Sequence, residues 1–172
     1  AQKLGHNLIE PVPAAVPLVV KDPLCQLLQG QRISAIARSL INGRVEDEAK
    51  GELLFTRYGL SGTCILDISE GISIALNRHH RTRVSVAVDM VPFLDKAQLY
   101  QELGKRQEDG WAEEDMLVGI LPNKFSLALR GLFEGKDIGH AVSLLKDWRF
   151  RVAGTRGWNE AEFTSGGIDV SE

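Results

Sequence analysis

The sequence predicts an α+β fold: a mostly antiparallel β-sheet or barrel-like domain with a small α-helical bundle inserted in it. Three observations predict it. Residues up to about 92 show the two-residue alternation of strands. Residues 93–147 change to the spacing of amphipathic helices, and residues 148–172 return to alternation. A β unit of 1–92 with 148–172 and a helical subdomain of 93–147 are therefore expected, because strands on both sides of an insertion pack best with each other.

The elements follow in order. Pro11, Pro13 and Pro17 punctuate a lead, and Pro17 to Lys21 is a short β-rich run. From Gln31 to Ile41, Ile33, Ala35 and Ala37 share one face. Asn42-Gly43 is a strong hairpin signal, since both residues tolerate positive φ, and a return strand should run from Arg44 to Thr56. Ile65, Ile68 and Ile72 are spaced for one face of a helix within 61–76, and Val84, Val86, Val88 and Met90 mark a half-buried strand. Asp95, Asn123 and Asp137 are expected to cap helices carrying Leu99 and Leu103, then Phe125 to Leu132, then Ile138 to Leu145. Glu113, Glu114 and Asp115 fit a helix N-terminus. Trp148, Phe150 and Val152 alternate in a strand, Gly154 to Gly157 reads as a turn, and Ser165-Gly166-Gly167 should break the extended run that reaches Thr164.

Composition narrows the function. With 172 residues, 44% hydrophobic and 25% charged, the chain can bury a core without disulfide or metal staples. A net charge of −3 argues against a general nucleic-acid or membrane-surface binder. No apolar run approaches the ~20 residues that a membrane span needs. Cys25 and Cys64 form no C-x-x-C and read as small buried residues in a reducing cytoplasm. None of His6, His79, His80 and His140 is spaced as a metal motif, so no metal is expected. The basic run Arg78 to Arg83 can meet a phosphate or a partner, but reads more simply as a solvated loop, and His140 should lie at the surface. The run Gly131 to Asp137 has its glycines too close for a P-loop. The chain begins at Ala1 and stops at Glu172 as though cut from something longer.

Two glycine-rich segments carry more. Phe55 to Gly62 packs a strand end, a tight turn and a helix start into a short stretch, which can expose N–H groups to an anion or simply place Ser61 as a helix cap. Gly166-Gly167 permits close approach of the backbone to a ligand, or a bend that closes the sheet.

Three motifs resemble one family. GHNLIEPVPAAVPL at residues 5–18 is similar to GH-x-I-x-x-P-x-P-A-L-V-P-L, and GELLFTRYGLSGTCILDIS at 51–69 to GE-x-LFTHYGLSGPAIL-x-x-S. GTRGWNEAEFTSGGIDVSE at 154–172 is similar to GT-x-G-x-x-EAEVTAGGV, and LPNKFSLALRGLF at 121–133 resembles the helical segment of the same proteins. The family is that of the bacterial FAD-dependent oxidoreductases that includes aminoacetone oxidase and a bile-acid-reducing flavoprotein. The resemblance implies a barrel-like region with a helical subdomain, inserted between two halves of a Rossmann FAD domain of the same full-length chain and covering the flavin and a small-molecule substrate. It implies FAD as the cofactor of the full-length protein, and little FAD affinity for this stretch alone, which lacks the glycine-rich phosphate loop.

Residues expected to face cofactor or substrate are Arg57, Tyr58, Ser61, Thr164, Gly166 and Gly167, with no general acid or base assigned. Arg57 stands where the family has histidine; it cannot titrate near neutrality but can hold an anionic substrate. Thr63-Cys64 replace Pro-Ala, and Phe163 and Ser165 replace Val and Ala. The alternative function is a non-catalytic interaction or regulatory domain.

Overall fold

A computed structural model describes residues 5–135 and 137–170. Six strands close an antiparallel barrel, and two more form a separate antiparallel ribbon. The ribbon pairs β1 (Leu8–Ala14) with β8 (Phe163–Ile168). Around the barrel run β2 (Leu18–Val20), β5 (Gly59–Ser61), β4 (Arg44–Thr56), β3 (Arg32–Ile41), β6 (Val84–Asp89) and β7 (Trp148–Thr155), which returns to β2.

The β3–β4 hairpin forms where the sequence placed it. Asn42 and Gly43 take φ of 53° and 83°, the left-handed pair that matches strand twist, and Ile41 pairs with Arg44. Ile33, Ala35 and Ala37 point inward, opposite the exposed Arg32 and Ser34. A bulge follows Ser39, whose buried hydroxyl accepts the Asp47 N–H at 3.0 Å. Val84, Val86 and Val88 of β6 and Phe150 and Val152 of β7 complete the interior.

Between β5 and β6 runs α2 (Thr63–Ser73), with Ile65, Ile68 and Ile72 fully buried. It continues as a π-helix, Ile74–Arg78. The helical insertion holds α3 (Lys96–Glu108), α4 (Asn123–Leu129) and α5 (Ile138–Lys146). Its apolar faces join the barrel's interior in one core. Phe125 of α4 meets Phe55 of β4 edge-on at 5.6 Å, and Phe55 meets Phe150 at 6.1 Å. Lys146, at the end of α5, fastens the insertion to the barrel. Its ammonium lies 2.6 Å from Asp89 Oδ2 and donates to the carbonyls of Val91 at 2.9 Å and Leu94 at 2.7 Å.

Several expectations are corrected. The last strands do not all join the first sheet: β7 closes the barrel, whereas β8 pairs with the proline-rich lead, which is itself strand β1. Proline survives there because each ribbon strand has a single neighbour, so a missing N–H breaks no second ladder. Gly154-Thr155 do not turn, since they pair with Val19 and Leu18, and the chain leaves β7 only at Arg156. Nor do Gly166-Gly167 end β8, which runs on to Ile168. Asp95 caps α3 with a full capping box to Gln98, but Asn123 is the first residue of α4, behind Pro122, and Asp137 precedes α5 without a side-chain cap bond. Glu113–Asp115 form only a 3-10 turn. A short α1 (Pro23–Leu27) follows Asp22, whose carboxylate accepts the Leu24 N–H at 2.8 Å; the Asp-Pro pair is a helix-start signal that the periodicity reading passed over.

Candidate functional site

The first group of expected residues sits on the β4–β5 turn. Thr56 Oγ1 and the Gly59 N–H are 3.1 Å apart, and the Tyr58 carbonyl accepts the Val20 N–H at 2.9 Å, so the turn is locked onto β2. That fixing leaves the Arg57 side chain exposed, with no ion pair among the described residues. Tyr58 lies under Arg156, whose guanidinium carbon is 4.5 Å from the ring centroid, and Arg156 Nε donates to Glu160 at 2.6 Å. The Arg156 hydrogen bond, helped by the Tyr58 hydroxyl, holds the Glu160 carboxyl below the usual carboxylate range.

Ser61 lies in β5 opposite Leu54 and is not the cap of α2; Gly62 takes that place with φ of 94°. The N-terminus of α2 is not an open anion site either. Glu52 of β4 covers it, its N–H donating to Thr63 Oγ1 at 2.9 Å and its carbonyl accepting from Cys64 Sγ at 3.3 Å. Burial pushes the Cys64 thiol up to about 12, and the Cys25 thiol likewise to about 12, so both are protonated at neutral pH.

The second group lies on the ribbon. Thr164 pairs with Pro13, Ser165 with Val12 and Gly167 with Ile9, which leaves Glu10 and Pro11 opposite Gly166 in a bulge. Gly166 and Gly167 take φ of 108° and 132°, where side chains are strained. They differ in surroundings. A Cβ on Gly166 would stand 2.7 Å from the Glu10 carbonyl oxygen, whereas one on Gly167 would meet nothing within 4 Å. Arg78, at the end of the π-helix, ties the two strands together: Nε donates to the Glu10 carbonyl and Nη2 to the Ser165 carbonyl, both at 2.9 Å. Large apolar side chains of the ribbon are uncovered, Phe163 at 68% and Ile168 at 52% exposure with Leu8 and Ile9 beside them, whereas Val12 and Ala14 of β1 are buried.

The six expected residues thus fall into two groups, and no side-chain hydrogen bond joins them among the described residues. What links the groups is the β7–β8 connection. It passes Tyr58 at Arg156–Glu160 and reaches β8 through the Glu162 N–H, which donates to Ala15 O at 3.2 Å. Arg78, Arg156 and Glu160 were missed by the sequence reading. Arg78 belongs to the π-helix and not to the solvated loop, which begins only with the exposed His79. The Arg156-x-x-x-Glu160 spacing was the one available signal for the second pair.

A flavin dinucleotide needs a phosphate cradle and a surface for its ring. All pairings of the barrel and ribbon are antiparallel, so they build no βαβ unit for a pyrophosphate. The Gly167 backbone, with open space before it, suits contact with a flat ring. Among the described residues no group of three or more His, Cys, Asp or Glu is placed to hold a metal, and no helix is long and apolar enough to cross a membrane.

Residues 12–163 match the family model described as HI0933-like protein barrel and H2TH domain. The chain belongs to the HI0933-like family. This is the barrel-and-helix region of FAD-dependent oxidoreductases to which the sequence motifs pointed, and the barrel and helical insertion agree with that description. The HI0933-like chain is 27% identical over 185 residues to a 3-dehydro-bile acid delta(4,6)-reductase of Clostridium scindens, covering 100% of this chain and 45% of that protein. It is also 27% identical over 185 residues to a ribosomal RNA dihydrouridine synthase of Escherichia coli, covering 100% of this chain and 43% of that protein. A ribosomal RNA dihydrouridine synthase of Haemophilus influenzae is 25% identical over 182 residues, covering 99% and 42% respectively. The chain therefore spans less than half the length of these curated relatives.

Proposed function

We propose that this region is a substrate-covering domain inserted between the Rossmann halves of a bacterial, cytoplasmic FAD-dependent oxidoreductase, with a β unit of 1–92 and 148–172 and a helical subdomain of 93–147. One observation carries the reading: the chain enters and leaves the barrel through the same ribbon. The Asp169 N–H donates to the Asn7 carbonyl at 3.0 Å, so the ends of the described region lie side by side, as the insertion of one domain into another requires. The exposed Leu8, Ile9, Phe163 and Ile168 leave large apolar side chains on that ribbon for the FAD domain to cover.

In this reading bound FAD supplies the redox chemistry. The chain's residues exclude water and shape the pocket. Thr164, Gly166 and Gly167 present the ribbon to the ring, Arg57 and Tyr58 face the substrate from the β4–β5 turn, and Ser61 stands behind them. The relatives' names support a reductive reaction on an unsaturated ring. The substrate placed first is a small molecule. RNA is the second reading, favoured by the two dihydrouridine synthases among the relatives and by a basic cleft described below.

Gly167→Val in the full-length protein tests the reading. Turnover per bound flavin should fall and the flavin spectrum shift, while the same change in the present chain leaves its thermal transition cooperative, with only the loss that a branched side chain at φ of 132° brings by itself. Unchanged turnover per bound flavin, with a destabilised chain, would remove the turn from the site.

A further inference from the structure

The basic run Arg78 to Arg83 does not stand alone as a solvated loop. After the π-helix the chain is pinned: the His79 N–H donates to Ile74 O at 2.9 Å, the Arg81 N–H to Ala75 O at 2.7 Å, and His80 holds φ of 51°. These bonds set His80 and Arg81 on the rim of an open cleft of about 640 Å³. Two cations from elsewhere in the chain line the same cleft, Lys21 after β2 and Arg151 on β7. All four side chains are exposed, none makes an ion pair among the described residues, and no carboxylate lines the cleft. Elsewhere Arg32, Arg38, Arg106, Arg149 and Arg156 are each matched by a carboxylate, while Arg57, like the cleft cations, is unpaired among the described residues.

On a chain of net charge −3, Lys21, Arg81 and Arg151 are a local concentration of unmatched positive charge. One wall is the side of Asn77, held in place by hydrogen bonds of 3.0 Å to Ser73 Oγ and to Thr155 Oγ1. No aromatic ring lines the cleft, so it lacks a platform for stacking a base. π-Helical segments are rare and recur at functional sites.

We propose that the cleft formed by Lys21, His80, Arg81 and Arg151 binds phosphate groups of a nucleotide or polynucleotide. Guanidinium forks and an ammonium converging from three segments of chain suit a phosphate's oxygens, and the absence of a carboxylate spares the ligand repulsion. The proposal does not depend on the ribbon facing a flavin, and it is tested without one.

The test is fluorescence anisotropy of the present chain with a labelled oligouridylate, followed by competition with inorganic pyrophosphate and with ADP. Binding should weaken with salt, with a log–log slope of about −2 if three phosphates are neutralised on a single strand. The triple variant Lys21→Gln, Arg81→Gln, Arg151→Gln should lose tenfold or more in affinity. A control of equal charge change, Arg32→Gln, Arg38→Gln, Lys50→Gln on the β3–β4 hairpin, outside the cleft lining, should keep most of it. All but the half-buried Arg38 of these side chains are exposed, and a cooperative melt verifies that each variant is folded. Affinity that rises with oligonucleotide length identifies a polynucleotide as the source; ADP and pyrophosphate binding as tightly as the oligomer identifies a free nucleotide. Equal losses in the two triple variants, or no binding of any probe at millimolar concentration, would overturn the proposal.

Discussion

Arg78 Nη2 donates to the Ser165 carbonyl at 2.9 Å, across 87 residues of chain, and this contact holds the β1–β8 ribbon against the end of the π-helix. With the second bond, to Glu10 O, it clamps both strands beside the bulge. Arg78→Met should remove on the order of 1–2 kcal/mol, the scale of partly exposed charge-assisted hydrogen bonds. Amide hydrogen exchange checks it. Protection should fall in β1 and β8 and stay unchanged in β3 and β4. A uniform loss would mean that Arg78 supports the whole fold.

Lys146 and Asp89 form the other long-range fastening, with both side chains almost fully enclosed. The Lys146 ammonium has three donors and finds three acceptors, so the pair is complete only while both members are present. Lys146→Met leaves the Asp89 carboxylate buried without a cation and should cost about 3–5 kcal/mol in urea unfolding. Adding Asp89→Asn should recover most of that loss, because an amide oxygen can still accept the Val91 N–H. A double variant as unstable as the single one would assign the effect to packing of the lysine stem.

The buried thiols give a pH signature. Cys25 and Cys64 are raised from an ordinary value of 9.0 to about 12 in the folded chain. Below 9.0 the unfolded chain also keeps these protons and the stability is fully present. It is lost as pH rises from there towards about 12, because the unfolded chain ionises first. At neutral pH iodoacetamide should label neither cysteine until denaturant unfolds the chain, and the labelling midpoint should match that of circular dichroism. Rapid labelling of the native chain would mean that a thiol is open to solvent.

Much of the fold was legible because local chemistry agreed with the global structure. Asn42-Gly43 fixed a hairpin that the Ile33, Ala35, Ala37 alternation then oriented, and Asp95 with Gln98 formed the capping box its helix needed. The misses have a common physical cause. Pro11 and Pro13 argue against a strand locally, yet an edge ribbon accepts them. Gly154 and Gly166 signal a break locally, yet long-range pairing with Val19 and with the Ile9–Val12 bulge carries the strands through. Of the candidate site, the glycine pair and the Tyr58 turn were visible as motifs. Their supports, Arg78, Arg156 and Glu160, come together only in three dimensions.

An FAD-bound structure of the full-length protein decides whether the ribbon covers the flavin of a larger oxidoreductase. The isoalloxazine ring should lie in van der Waals contact, about 3.5–4 Å, with the backbone at Gly166-Gly167, and Phe163 and Ile168 should be covered by the FAD domain. A flavin ring remote from β8, with the ribbon still exposed to solvent, would contradict the account.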